Sequence, residues 1–170
     1  MKRSLLALLA LMVLSPMLLP SQAQAEPKGW VFQDDDTHGF ELAVLGSYLA
    51  PITLGGQVYV GIPVAKNGFT SKINDAFFVD IGAFFGGVPN PLFIGNFWTM
   101  PYGGVRYQIW LFDWFSIFWA VRGGPLIEVT TPTVSPYVGG SFGMDFFASE
   151  KVALRVELGW PTGVGARFAF

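Results

Sequence analysis

From Val152 to Trp160 the chain alternates strictly. Val152, Leu154, Val156, Leu158 and Trp160 are apolar, and Ala153, Arg155, Glu157 and Gly159 lie between them. A period of two sends successive side chains to opposite faces of an extended strand. The pattern recurs. Val105, Tyr107, Ile109 and Leu111 alternate with Gly104, Arg106, Gln108 and Trp110. Phe77, Val79, Ile81, Ala83 and Phe85 alternate with Phe78, Asp80, Gly82, Phe84 and Gly86, and Val58, Val60, Ile62 and Val64 with Gln57, Tyr59, Gly61 and Pro63. Eight segments read as strands: 39–49, 56–65, 76–86, 100–111, 114–123, 137–147, 151–160 and 163–170. Several approach the roughly 9–11 residues that a tilted membrane strand needs.

The connectors have a parity of their own. Tight turns are expected around Phe112-Asp113 and Ser149-Glu150, and long, proline-containing connections at 87–99 and 124–136. Short turns at one end and longer loops at the other are the habit of membrane barrels. The 66–75 connection is long for a turn, and Pro161-Thr162 is short for a loop.

The first 25 residues read as a secretion signal. Lys2 and Arg3 form a basic start, Leu5 to Leu14 an apolar stretch, and Ala23-Gln24-Ala25 a cleavage site. Ser15, Pro16 and Pro20 interrupt the apolar run before it reaches the ~20 residues of a spanning helix. Residues 26–38 are expected to form a periplasmic arm and 39–170 the barrel. Removing Lys2 and Arg3 leaves eight basic and twelve acidic residues, without the basic patch that nucleic acid requires. The absence of cysteine excludes a disulfide framework and thiolate metal sites.

Charged residues make up only 13% of the chain, against about a quarter in ordinary soluble domains. Soluble barrels also alternate, but their water-facing side normally carries many Lys and Glu. Here the polar face holds Gly, Ala, Ser, some aromatics and eight charges: Arg106, Arg122, Arg155 and Arg167 with Glu41, Asp80, Asp145 and Glu157. Four guanidinium groups matched to four carboxylates predict a self-neutralised interior, since an unpaired buried charge is costly and arginine can hold a carboxylate with two hydrogen bonds. A gated or selective lumen is the rival reading. Trp119, Trp160, Tyr48, Tyr102, Tyr107 and Phe170 are expected near strand ends or on the outer face. Phe93, Phe97 and Trp98 are expected in the third connector, packing on themselves or binding sugar or lipid.

The last segment places Val164, Ala166, Phe168 and Phe170 on one face and Gly165, Arg167 and Ala169 on the other. With the leader and the eight alternating strands, this ending resembles the small bacterial outer-membrane β-barrels of the OmpA-transmembrane, OmpX and OmpW kind. The resemblance implies an all-β fold, an eight-stranded antiparallel up-and-down transmembrane β-barrel. It also implies Val164, Ala166, Phe168 and Phe170 as the signal read by the barrel-assembly machinery, and outer-membrane lipids as surroundings. A structural, adhesive or surface-interaction role with a largely plugged polar interior is expected. A narrow channel or binder for small or hydrophobic solutes is the alternative, followed by a lipid-modifying enzyme. No catalytic residue, cofactor or metal is expected. The sole histidine, His38, lacks a serine placed beside it by a recognisable motif, and Asp34-Asp35-Asp36 lacks the spacing of a calcium loop.

Overall fold

The computed structural model describes residues 39–49, 53–65, 73–88 and 96–170. The leader (1–25), the arm (26–38) with Asp34 to His38, and Phe93 lie outside the described residues.

The fold is all-β, with eight strands: β1 Glu41–Leu49, β2 Thr53–Ala65, β3 Asp75–Gly87, β4 Phe97–Phe112, β5 Phe115–Glu128, β6 Thr133–Ser149, β7 Val152–Gly159 and β8 Thr162–Ala169. Each pairs antiparallel with its sequence neighbours, and β1 pairs with β8 to close an up-and-down barrel. Glu41 is opposite Ala169 and Tyr48 opposite Thr162 in that closing seam. The end carrying Glu41 and Ala169 is called the near end below, and the opposite end the far end.

At the near end, Asp113-Trp114 and Glu150-Lys151 are the expected tight turns. Register shifts at Pro63/Ala65, Trp110/Phe112 and Phe147/Ser149 put one irregularity beside each near-end connection. Bulges sharpen local twist and gather at barrel rims.

The far end corrects the expected loops. The 124–136 stretch is not a long loop. β5 runs on to Glu128 and β6 starts at Thr133, so a four-residue turn caps a long hairpin in which Pro125 stands opposite Pro136. Phe97 and Trp98 belong to β4 rather than to a connector. The β4–β5 pairing lapses between Thr99↔Ile127 and Gly103↔Gly123, around Pro101 and Pro125. A proline has no N–H to give the ladder, yet tolerates an extended backbone. The wall is therefore lopsided: β4, β5 and β6 have 16, 14 and 17 residues, whereas β1, β7 and β8 have 9, 8 and 8.

Parity decides which side chains fill the centre. Large inward groups stand opposite small ones on the neighbouring strands. Asp80 faces Gly61 and Gly104, Arg122 faces Gly104 and Gly139, and Glu157 faces Gly143 and Gly163. A Cβ on Gly61 would lie 2.5 Å from Arg106 Nη2, and one on Gly143 would enter the Phe118 ring. An eight-stranded barrel is only just wide enough for its side chains, so these glycines make the room that the large groups occupy. Toward the far end the filling turns apolar: Leu45, Leu49, Tyr59, Phe84, Met100, Tyr102 and Tyr137 form one cluster with Ala43. Tyr102, expected near a strand end or outside, is buried in that cluster. It shares the parity of Arg106 and Gln108, and parity prevails.

Candidate functional site

The eight charged positions singled out from the sequence are all buried within the barrel. The structure links them through ion pairs drawn from seven strands, all but β2. Arg106 Nε donates to Asp80 Oδ1 at 3.2 Å and its Nη2 to Glu41 Oε2 at 2.6 Å. Arg122 Nη2 donates to Asp80 Oδ2 at 2.8 Å, and its Nη1 to Glu157 Oε2 at 2.9 Å. Arg155 grips Asp145 with two bonds, Nε to Oδ1 at 2.7 Å and Nη2 to Oδ2 at 2.6 Å. Arg167 donates through Nη2 to Glu41 Oε1, and its Nε lies 3.9 Å from Asp145 Oδ2. Glu41 thus serves three arginines, because Arg155 Nη2 also reaches its Oε2 at 3.4 Å.

Uncharged residues complete the arrangement. Tyr59 donates its hydroxyl to Glu157 Oε1 and accepts from Arg155 Nη1 at 2.8 Å. Asp80, Arg106, Glu41, Arg155, Tyr59, Glu157 and Arg122 then form a closed circuit. Gln57 donates to Glu157 at 3.1 Å, and Gln108 to Asp145 at 2.9 Å, where Ser116 also donates. Charge balance alone overlooks these four partners. The signal that finds them is their inward parity, which Gln57, Tyr59 and Gln108 share with the charged residues.

Each guanidinium also lies over an aromatic ring: Arg106 on Phe78 at 4.2 Å, Arg122 on Tyr59 at 4.4 Å, Arg155 on Phe118 at 4.6 Å and Arg167 on Phe147 at 5.0 Å. A desolvated cation gains about 2 kcal/mol or more from such a face. Phe78, Phe118, Arg106 and Arg155 have no solvent exposure, so the middle of the barrel is filled. Two further buried carboxylates stand at strand ends, outside the set of eight. Asp75 accepts from the Tyr107 hydroxyl at 2.6 Å, and Glu128 accepts from the Thr133 hydroxyl at 3.3 Å.

The arrangement binds charge to charge, with every carboxylate of the set held by arginine. Among the described residues no group of three or more His, Cys, Asp or Glu could hold a metal ion.

On the outer face of the strands the order is reversed. Ile81, Val105, Val121, Leu154 and Val164 are each more than half exposed. The remaining described charges, Asp113, Glu150 and Lys151, lie in the near-end turns. Aromatic rings run across the wall in one row, Phe77–Tyr107–Trp119–Phe142, with centroids 4.8, 6.4 and 5.5 Å apart. A second set, Phe112, Trp114, Phe115 and Phe146, lines the near rim. Of the closing-strand residues, Val164, Phe168 and Phe170 are exposed, and Ala166 is half-buried between Val44 and Leu154. Comparison with known proteins adds no relative: no family model matches the sequence, and no curated protein or solved structure matches it significantly.

Proposed function

We propose that the chain is an integral outer-membrane β-barrel with a closed interior and a structural, adhesive or surface-interaction role, exported by its leader and inserted through its closing strand. One observation carries this reading: the sorting of charge. Eight charged side chains are enclosed within the barrel, while the outward face of the strands carries only Asp75, at the near end of β3, among the described residues. A water-soluble barrel needs the opposite arrangement. Monomeric soluble proteins rarely expose contiguous apolar patches beyond a few hundred Å², and here the apolar surface continues around all eight strands. A closed barrel leaves no strand edge unpaired along its common height, the condition for spanning hydrocarbon with strands. Aromatics at the near rim fit an interfacial girdle.

The filled midsection favours a closed lumen over a conducting one, and the pairing of Glu41, Asp80, Asp145 and Glu157 with arginine favours a non-catalytic role. Fractionation tests the reading. The protein is expected in the outer-membrane fraction, resistant to carbonate, and faster-migrating on gels before boiling than after. Release by carbonate would refute membrane insertion. Steady single-channel conductance in planar bilayers would refute the closed interior.

A further inference from the structure

β6 has 17 residues and β7 only 8. Their ladder ends at Ser141 opposite Gly159, and a last backbone bond from Trp160 N–H to Gly140 O, at 3.2 Å, closes it. Beyond that point β6 has β5 on one side and, among the described residues, no strand on the other. The bared edge from Thr133 to Gly139 is about 23 Å long at ~3.3 Å per residue. Burial follows the same break: Thr133, Val134, Ser135 and Pro136 are exposed in succession, on both faces of the strand. Gly140 turns its carbonyl to the β7 side, and backbone groups alternate sides along a strand. Val134, Pro136 and Val138 therefore direct theirs into the gap. Val134 and Val138 each offer an N–H and a C=O there, and Pro136 a C=O alone, since proline has no N–H to give.

We propose that this edge takes up an uncharged, extended segment of another polypeptide, which joins the sheet in the line that β7 leaves at Gly159. The edge itself selects an extended chain, because bared ladder groups are matched by a backbone of the same spacing. The side chains around it select an uncharged one. Val134 and Val138 flank the edge on the outward face and Ser135 and Tyr137 on the other, and residues 129–140 hold no charge. A second copy does not fit. Two β6 edges laid antiparallel about Pro136 would set two prolines face to face, with no N–H between them. Barrels side by side in one membrane would also cross their strands at about twice the ~35–45° tilt. The inference rests on the surface-interaction reading above and gives it a place.

The test is backbone amide exchange, read by NMR on the folded full-length protein in detergent, with and without about 1 mM of the peptide Lys-Thr-Val-Thr-Val-Thr-Val-Thr-Lys. The peptide is expected to slow exchange at Val134 and Val138 about tenfold and to leave Ile117 and Met144, paired within the ladder, unchanged. Val138→Pro removes an edge donor that β5 does not use, so the barrel folds and peptide affinity falls about fivefold, the worth of one hydrogen bond. Pro136→Val supplies the missing donor and should raise affinity about fivefold. Unchanged exchange at both valines with peptide present, or a folded Val138→Pro protein that binds as well as the parent, overturns the proposal. Slow exchange at both valines without peptide also overturns it, because the edge would already be paired. Carbonate extraction tests the membrane reading separately, so a carbonate-resistant barrel whose edge ignores the peptide refutes this inference alone.

Discussion

Glu41→Ala should be among the most damaging single substitutions in the barrel. The carboxylate is buried and accepts from Arg106 at 2.6 Å, from Arg155 at 3.4 Å and from Arg167. Its removal leaves four interior arginines facing three carboxylates. Arg155 keeps its two-bond grip on Asp145, and Arg106 keeps Asp80. Arg167 keeps only the 3.9 Å approach to Asp145, with Nε and Nη1 already lacking hydrogen-bond partners. Removing one member of a buried ion pair costs about 3–5 kcal/mol, because the remaining charge stays buried. A loss of about 4 kcal/mol corresponds to a nearly thousandfold change in the folding equilibrium. The assay is equilibrium urea unfolding in lipid vesicles, followed by tryptophan fluorescence, with Glu150→Ala as control. Glu150 is exposed in a turn, and its loss should stay within about 0.5 kcal/mol. Adding Arg167→Met to Glu41→Ala should restore part of the loss, with a coupling of about 0.5–3 kcal/mol for residues in one network. If Glu41→Ala costs no more than Glu150→Ala, water reaches the arginines and the interior is not the dry, charge-matched core described here.

Two other substitutions probe opposite faces of the wall. Gly143→Ala drives a methyl into the Phe118 ring and should cost about 1–3 kcal/mol in the same unfolding assay, recovered in part by Phe118→Leu. Val121→Arg places a charge on the outward face in the middle of β5, where Val121 is 55% exposed. In a bilayer it should cost about 2–4 kcal/mol, whereas a negligible loss would mean that this face meets water.

Much of the fold could be read from the chain because a barrel this small obeys parity nearly everywhere. Arg155 and Glu157 sit between Leu154, Val156 and Leu158, and that spacing alone assigns them to the interior. The far-end hairpin was not legible for the same reason that proline is an ambiguous signal. Pro125 and Pro136 read as the borders of a loop, yet each costs the strand only its own N–H, and β5 and β6 continue past both to Glu128 and Thr133. Tyr102 defies the preference of tyrosine for interfaces because it shares the inward parity of its even-numbered neighbours Arg106 and Gln108. The partners of the charges escaped notice because Gln57, Tyr59, Gln108 and Ser116 carry no charge to be balanced.

The circuit of ion pairs and Tyr59 hydrogen bonds has a consequence for how such a wall comes together. Its members are contributed by β1, β2, β3, β4, β5 and β7, and no single hairpin contains a complete set. A half-built sheet would present naked guanidinium and carboxylate groups to whatever surrounded it. Only when the first strand meets the last does Glu41 reach Arg167 across the seam. Partial assemblies are thereby penalised and the finished ring is favoured, so the final zipping of the two ends should behave as an all-or-none event.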